Sequence, residues 1–322
     1  MHIELLEHIL EGLTQSLGYL ANPEKRIYWA YLVTSAAMAY FVFCSKRIAG
    51  SVLEYLIPKK MWLSQSSGVD AVLWLINGLF KVFLIGPYFI FGFALSDWVE
   101  ASLVDVLGYP SAPLSETATL IWYTVVLTLA LDLSTYFVHL LMHRVPALWE
   151  FHKIHHAATV LTPITQYRIH PIELLVNNAK AISVMGVVTG VFSYLSPHHL
   201  TEMAVFGVNV FNFAFLFLGA NLRHSHIEFK YPSWLENILI SPFQHQIHHS
   251  ENAAHFDKNL GSKFAIWDKL FGTLIQSKEV ESISYGIGEE NDKYRSIGEN
   301  LYRPITNLVK RLRRTLNFSS EA

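Results

Sequence analysis

Histidines occur twice in the pattern His-x-x-His-His, in copies about ninety residues apart. The first copy is HKIHH at 152–156, and the second is HQIHH at 245–249. A His-x-x-x-His pair, HLLMH at 139–143, ends nine residues before the first copy. Because positions i, i+3 and i+4 share one face of a helix, each copy can direct three imidazoles at a common point. Neutral imidazole is a good ligand for iron, copper, nickel and zinc.

The patterned histidines exceed what one four-coordinate zinc ion uses, so the sequence predicts two metal ions. Scattered surface histidines are the alternative interpretation. With 16 histidines in 322 residues, two copies of the pattern arise by chance in only about 0.1% of such chains. The predicted ligands are His139, His143, His152, His155, His156, His245, His248 and His249.

The composition indicates a membrane protein, because 52% of the residues are hydrophobic, only 16% are charged and the mean hydropathy is +0.29. Several apolar stretches are long enough to cross about 30 Å of hydrocarbon, although buried helices of a soluble protein are an alternative. These stretches are 27–44, 71–95, 118–142, 172–195 and 203–222. We expect an all-α polytopic membrane protein with four to five transmembrane helices and a cytosolic helical cap that holds the di-metal site.

The loops differ in their content of Lys and Arg, which sets the orientation of a membrane protein. The loop between the first two predicted spans contains four such residues, whereas 96–117 contains none and holds four acidic residues. The first loop, and with it the histidine patterns, is therefore predicted to be cytoplasmic. The fourth and fifth predicted spans form a hairpin that leaves this face and returns to it, so all the patterns can meet. Lys25 and Arg26, predicted on the outer side, depart from the rule.

Further histidines near the same face are candidate ligands. His224 and His226, in RHSHIE, follow the fifth predicted span, and one of them is a candidate ninth ligand. His170 precedes Pro171, a residue suited to the first turn of a helix. His170 is a candidate for binding metal, for ordering water or for holding a ligand, and His255 is a weaker candidate.

Acidic residues near the patterns are expected to support the ligands, because an imidazole bound to a metal usually donates its other N–H to a carboxylate or a carbonyl. Asp132 lies two helical turns before His139 and is predicted to share its face, and Asp257 is a second candidate. Glu150 and Glu173 are further candidates. A salt bridge from Glu173 to Lys180 or Arg168 is the alternative for that residue.

The chain divides into four regions by composition. We expect an amphipathic N-terminal segment at 1–26, N-terminal transmembrane helices at 27–116, a domain that carries the histidine patterns at 117–276, and a polar and basic cytosolic tail at 277–322. The end of the tail is predicted to be either a helix attracted to anionic lipid or a solvated segment. The single cysteine, Cys44, excludes an internal disulfide.

These motifs resemble those of the fatty acid hydroxylase and sterol desaturase superfamily of membrane di-iron oxygenases. The resemblance extends from about Trp122 to Ile275 and depends on the histidine patterns, on RIHPIE and RHSHI, and on DKNLG and WDKLFGT between Asp257 and Thr273. It implies a helical membrane protein with two non-haem iron ions, bound by the patterned histidines and His224. His226 stands where many relatives have Asn.

The resemblance implies attack by O2 on a lipid C–H bond, so we expect a lipid hydroxylase acting on a sterol, a fatty acyl chain or a related group. A desaturase with the same metal site, a His-rich metal transporter and an inactive scaffold are the alternatives. One cysteine cannot hold a four-thiolate iron-sulfur cluster, and no GxGxxG loop occurs. Electrons must therefore come from a separate ferredoxin, cytochrome b5 or reductase. We expect the bacterial inner membrane or the endoplasmic reticulum, a cytoplasmic metal site and no nucleic-acid partner.

Overall fold

A computed structural model describes residues 14, 16–84 and 86–318, and its architecture is helical, as predicted. Ordered along the chain, the α-helices are α1 Trp29–Ser45, α2 Val52–Leu56, α3 Lys59–Trp62, α4 Gln65–Leu84, α5 Gly86–Leu107, α6 Glu116–Arg144, α7 Pro146–His156, α8 Pro171–Leu195, α9 Val210–Phe217, α10 Pro242–His248, α11 Ile266–Phe271 and α12 Ile297–Phe318. A two-stranded antiparallel hairpin, β1 Ala204–Val205 and β2 Val208–Asn209, pairs Ala204 with Asn209. Short 3-10 helices are Gly18–Leu20, Thr165–Tyr167, Ala220–Arg223, Leu235–Asn237, Ala253–His255, Ser277–Glu279 and Gly288–Tyr294.

Helices α6 and α8 are long and apolar enough to cross a membrane, judged by length and composition. They are antiparallel, because the Leu114 N–H donates to the Leu195 carbonyl at 2.9 Å and Thr119 donates to Ser196 at 2.7 Å. Tyr123 and Phe192 belong to the buried cluster between them. The end of α6 that bears the HLLMH pattern therefore lies beside the start of α8.

The junction between α6 and α7 is set by proline. Val145 follows the last turn of α6 with φ −92° and ψ 112°, the extended conformation favoured before proline, and Pro146 opens α7 in its first turn. The chain therefore turns between its first two histidine-bearing helices. This turn places the HKIHH pattern of α7 against the HLLMH pattern at the end of α6.

Glycines bring α5 and α8 close together. A Cβ added at Gly186 would lie 2.8 Å from the Gly92 carbonyl oxygen, and a Cβ at Gly190 would lie 2.7 Å from Val99 Cβ. Small residues four positions apart allow helix backbones to approach in this way. This contact joins α5 to α8.

The predicted span at 203–222 is wrong as a continuous helix. The segment consists of the β1–β2 hairpin, the eight residues of α9, and a 3-10 turn that follows Gly219, where φ is +89°. Asn209 begins α9 by accepting hydrogen bonds from the next two free amides. The segment nevertheless runs alongside α6, because Met203 N–H donates to Thr124 Oγ1 and Asn209 Nδ2 donates to Thr128 Oγ1. The segment therefore still brings His224 back to the end of α6 that carries the histidine pattern.

The other predicted spans differ in extent. The stretch 27–44 is helix α1, which has 17 residues, and 71–95 falls on α4 and α5, which together extend from 65 to 107. The number of membrane crossings stays a prediction. The expected N-terminal amphipathic helix over residues 1–21 lies mostly outside the described residues.

Helix α12 forms the polar and basic tail and packs on α7. Asn307 Nδ2 donates to Glu150 Oε2 at 2.9 Å, and Arg311 Nε donates to Glu150 Oε1 at 3.0 Å. Glu150 therefore docks the tail, and Lys153 pairs with the same carboxylate at 2.7 Å. Lipid attraction by the tail stays a prediction.

Candidate metal centre

Nine buried or half-buried histidines meet in two groups where the C-terminal end of α6 lies beside the start of α8. In each group, one ring nitrogen of every member lies within 4.8 Å of the corresponding nitrogens of the others. The first group is His139, His143, His152, His156 and His248. The second group is His155, His224, His245 and His249. The structure thus brings together all eight patterned histidines and His224.

Each His-x-x-His-His pattern contributes to both groups. In α7, His152 and His156 belong to the first group, whereas His155 belongs to the second. In the second pattern the assignment is exchanged, because the i and i+4 histidines belong to the second group and His248 to the first. Adjacent helical residues are about 100° apart around the axis, so neighbouring imidazoles must point to different places. The expectation that one pattern directs all three imidazoles at one point is therefore wrong.

The spacing of the nitrogens suits a shared cation. In the first group, His152 Nε2 lies 3.1 Å from His139 Nε2 and 3.2 Å from His156 Nε2. In the second, His224 Nε2 lies 3.1 Å from His245 Nε2. Nitrogens bound at about 2.1 Å and at right angles around one ion would lie about 3.0 Å apart. The observed separations are therefore those of imidazoles around a common ion.

The hydrogen bonds on the far side of the rings leave nitrogen lone pairs that face inward. His139 Nδ1 lies 2.7 Å from the Leu260 carbonyl oxygen, and His248 Nδ1 lies 2.9 Å from the Lys258 carbonyl oxygen. A carbonyl only accepts, so both Nδ1 atoms carry the proton and both Nε2 atoms a lone pair. Among the described residues, the buried Nε2 atoms of His143 and His248 have no hydrogen-bond partner. Converging lone pairs without donors fit metal ions.

Burial keeps six of the grouped imidazoles in the neutral form that binds metal. Desolvation, reinforced by neighbouring positive charge, lowers the pKa of each of these groups below 6.5. Metal ligation requires the neutral imidazole. The histidines concerned are His155, His156, His224, His245, His248 and His249.

Two carboxylates contact ligand candidates directly. Glu173 Oε1 accepts a hydrogen bond from His152 Nδ1 at 2.9 Å, and both side chains are buried. Asp257 Oδ1 lies 3.4 Å from His143 Nδ1, and its other oxygen pairs with Arg144 at 2.7 Å. Glu173 therefore contacts a histidine, and neither alternative salt bridge forms.

The predicted role of Asp132 at a ligand is wrong. Its carboxylate accepts hydrogen bonds from the Lys263 and Phe264 amides at 3.0 and 3.1 Å, and from Trp267 Nε1 at 3.0 Å. Helical spacing placed Asp132 two turns below His139, where the loop that follows the second pattern folds back against α6. Asp132 anchors that loop.

Sequence reasoning missed two other residues of this region. Asp268 accepts hydrogen bonds from the Leu260 and Gly261 amides, both at 2.7 Å, and so holds the loop whose carbonyl meets His139. The WDKLFGT motif was the available signal. Arg223 donates to the Gly261 carbonyl at 3.3 Å, and its Nη2 lies 2.8 Å from His245 Nδ1. The position of Arg223 next to His224 was the available sequence signal.

Three candidate histidines lie outside both groups. His170 begins α8, where its Nδ1 accepts from the Ile172 amide at 3.1 Å and its Nε2 donates to the Leu301 carbonyl at 3.0 Å. His226 Nε2 donates to the Tyr55 carbonyl at 2.6 Å. His255 is buried elsewhere. We therefore remove His170 and His226 from the ligand set, because neither belongs to a group of converging ring nitrogens and because backbone groups bind both nitrogens of His170 and Nε2 of His226.

Two cavities reach the histidine groups. One, of about 160 Å³, lies between α6 and α8 and is lined by His139 and His224, among others. The second, of about 440 Å³, is lined by His143, His248 and Trp149. A third cavity, of about 570 Å³ and mostly apolar, lies against α1 and does not include a grouped histidine among its described lining residues.

Comparison with known proteins gave matches over the segment that carries these groups. Residues 124–273 match the fatty acid hydroxylase family. Alkylglycerol monooxygenase of Homo sapiens is 29% identical over 167 residues, 52% of this chain and 33% of that protein. Ornithine lipid hydroxylase OlsE of Rhizobium tropici is 28% identical over 169 residues, 51% of this chain and 46% of that protein. Cholesterol 25-hydroxylase of Mus musculus is 27% identical over 263 residues, 78% of each chain.

The matched segments span a third to about half of the length of the first two relatives. No solved structure matched the chain. The family match covers every histidine of both groups as well as the loop that Asp132 and Asp268 hold. On these grounds, residues 124–273, just under half of the chain, are similar to the fatty acid hydroxylase family, and the matches support the fatty acid hydroxylase and sterol desaturase superfamily.

Proposed function

We propose that this protein is an O2-dependent lipid hydroxylase that holds two non-haem iron ions in its two histidine groups. The observation that carries the proposal is the division of each His-x-x-His-His pattern between two adjacent groups of inward-facing nitrogens. The family uses iron, and three relatives are named as a monooxygenase or hydroxylases of lipids.

The reaction consumes one O2 for each lipid. A lipid C–H bond, O2, two electrons and two protons give a C–OH group and one water. When bound, the irons supply the redox chemistry for this conversion. The electrons come from a separate ferredoxin, cytochrome b5 or reductase, because the chain has one cysteine and no nucleotide-binding glycine loop.

The chain positions and shields the reaction. Glu173 and the Leu260 and Lys258 carbonyls fix ring orientations by accepting from Nδ1. Val138 and Met142 of α6 line the smaller cavity beside the histidines and limit access of water. Since this cavity lies between the two apolar helices, we propose that the lipid enters it laterally from the bilayer.

We propose that the metal centre lies at the cytoplasmic face of a bacterial inner membrane or the endoplasmic reticulum. The Lys and Arg content of the first loop favours this orientation. A desaturase with the same metal site remains the second candidate, since the histidine arrangement serves either reaction. A transporter is disfavoured, because transporter ligands lie near the bilayer midplane and the HLLMH pattern ends one residue before the end of α6.

The proposal is tested by measuring the iron content of the purified protein and the lipid products of cells that carry the intact gene. Protein purified from iron-replete cells should contain two irons per chain, and cells with the intact gene should accumulate a lipid that carries one oxygen from labelled O2. His248→Ala should lose bound iron and product together. His255→Ala is the matched control, because His255 is a buried histidine outside both groups, and it should keep both.

Iron-free protein, or full activity of His248→Ala, would contradict the proposed ligands. An oxygen-free alkene as the product, with iron present, would instead identify the desaturase.

A further inference from the structure

The cavity beside the histidine groups contains a cation that sequence reasoning placed on the opposite side of the membrane. Arg26 lines this cavity together with His139, His152, His224 and Arg223. Its backbone is fixed there because Asn221 Nδ2 donates to the Arg26 carbonyl at 2.6 Å. The predicted outer position of Arg26 is therefore wrong, and its charge belongs to the proposed active site.

The guanidinium of Arg26 differs from the two fully buried arginines in its lack of partners. Arg168 pairs with Asp70 at 3.2 Å and donates to the Ile154 carbonyl, and Arg223 donates to the carbonyls of Gly261 and Ser262. Within the part of the chain that the structure describes, Arg26 forms no side-chain hydrogen bond or ion pair. Burial lowers the pKa of Arg26, with partial compensation by Tyr167 and Asp132.

An unpaired cation in a partly buried position is costly unless a ligand pairs with it. A guanidinium presents donors in a planar fork that matches the oxygens of a carboxylate or phosphate. The nearby Asp132 already accepts three hydrogen bonds from the 263–267 loop. Glu173 also lines the cavity; its Oε1 accepts from His152 and its Oε2 has no partner, but it forms no ion pair with Arg26. The two arginines of the lining outnumber this one carboxylate.

Arg26 and members of both histidine groups line one cavity. The volume of this cavity is about 160 Å³. A group bound to Arg26 would therefore lie in the same cavity as a carbon that reaches the histidines.

We propose that Arg26 binds an anionic oxygen group of the lipid substrate, a carboxylate or a phosphate, and so directs hydroxylation to a carbon near that group. This inference rests on the proposed hydroxylase function for its reaction, but the binding step stands without it.

Binding of matched lipids to the detergent-solubilised, iron-loaded protein tests the inference. Isothermal titration calorimetry uses palmitate, methyl palmitate, lysophosphatidate and acetate. Their affinities distinguish the contribution of the anionic charge from that of the acyl chain, and a preference for carboxylate from one for phosphate. The wild type should bind palmitate or lysophosphatidate roughly tenfold to a hundredfold more tightly than methyl palmitate. Arg26→Gln should abolish that preference, and Arg26→Lys, which keeps the charge without the fork, should retain part of it.

Arg47→Gln is the matched control, because Arg47 is exposed, and it should bind as the wild type does. Iron content and melting temperature show whether each Arg26 variant is folded. Equal affinity for palmitate and its ester in the wild type, or an unchanged preference in folded Arg26→Gln, would overturn the inference. Acetate binding as tight as palmitate binding would overturn the assignment to a lipid.

The two proposals fail separately. Iron and hydroxylated product without an anion preference would leave the hydroxylase standing and remove the role of Arg26. Anion-dependent palmitate binding by protein that forms no product would support Arg26 and contradict the hydroxylase.

Discussion

Glu173 connects the proposed metal centre with the cavity beside it. The residue lies in the first turn of α8, where His170 and Pro171 begin the helix. Its carboxylate accepts the Nδ1 proton of His152 and therefore fixes the tautomer that presents Nε2 to the first group. A single side chain thus links the start of an apolar helix to the orientation of a proposed ligand.

We expect Glu173→Gln to weaken metal binding by about 10-fold to 100-fold. The amide oxygen can still accept from His152, but the negative charge that raises the basicity of the imidazole is lost. The measurement is the rate of iron release to a chelator, followed with the iron content of the purified protein. Glu54→Gln is the control, because Glu54 is exposed on α2. Wild-type iron release from folded Glu173→Gln would contradict this role.

At the scale of elements, the contact between α5 and α8 depends on glycine. Gly186 and Gly190 lie four residues apart on α8 and meet the backbone of α5 at Gly92 and Ser96. No side chain fits between the backbones at these points. Because α8 also carries Glu173, this packing holds the wall of the proposed lipid cavity in place.

We expect Gly190→Ala to lower the free energy of unfolding by about 1–3 kcal/mol, since its Cβ would overlap Val99 Cβ and the Ser96 carbonyl oxygen. Thermal unfolding in detergent measures the change. Gly68→Ala is the matched control, because no atom lies within 4 Å of an added Cβ there, and it should stabilise helix α4 by about 0.5–1 kcal/mol. Equal melting temperatures for the two variants would contradict the close contact.

The contacts of the loop between α10 and α11 could not be predicted from the spacing of residues along each helix. Asp132 of α6 and Asp268 of α11 accept the amide protons of this loop and place the Leu260 carbonyl against His139. Helical periodicity predicted the face of Asp132 but not the segment that would cover that face. Only the long-range return of the chain identifies its partner.

For the whole molecule, the antiparallel arrangement of α6 and α8 places the histidine groups at one end. Glu116 and His143 are 27 residues apart in α6, which corresponds to about 40 Å of helix. Leu114 and Leu195 meet at the opposite end. A bilayer with about 30 Å of hydrocarbon would therefore separate the 196–202 segment from the metal centre.

Cysteine labelling checks this arrangement. In a Cys44→Ala background, we expect a membrane-impermeant maleimide to label His198→Cys and Glu251→Cys from opposite sides, with Glu251→Cys labelled from the cytoplasmic side. Both positions are exposed, and the Cys44→Ala protein without an added cysteine controls for background. Labelling of both positions from the same side would exclude the proposed orientation.

The sequence by itself determined the eight patterned histidines, the helical class and the two long apolar helices, because these depend on residue type and on periodicity along a helix. The sequence also indicated the superfamily, because the motifs are short runs of residues and their order can be read directly from the sequence. His224 was identified as a candidate ninth ligand, and the structure places it in the second group.

Tertiary structure alone decided how the histidines divide, and it corrected several local expectations. Backbone carbonyls occupy His226 and His170, and the segment after α8 returns as a hairpin and a short helix instead of a fifth span. Arg26 lines the cavity at the histidine groups, whereas the predicted membrane crossing at 27–44 had placed it on the opposite side. The physical reason is that hydrogen-bond partners and buried charges are set by contacts between distant segments, which periodicity and composition do not encode.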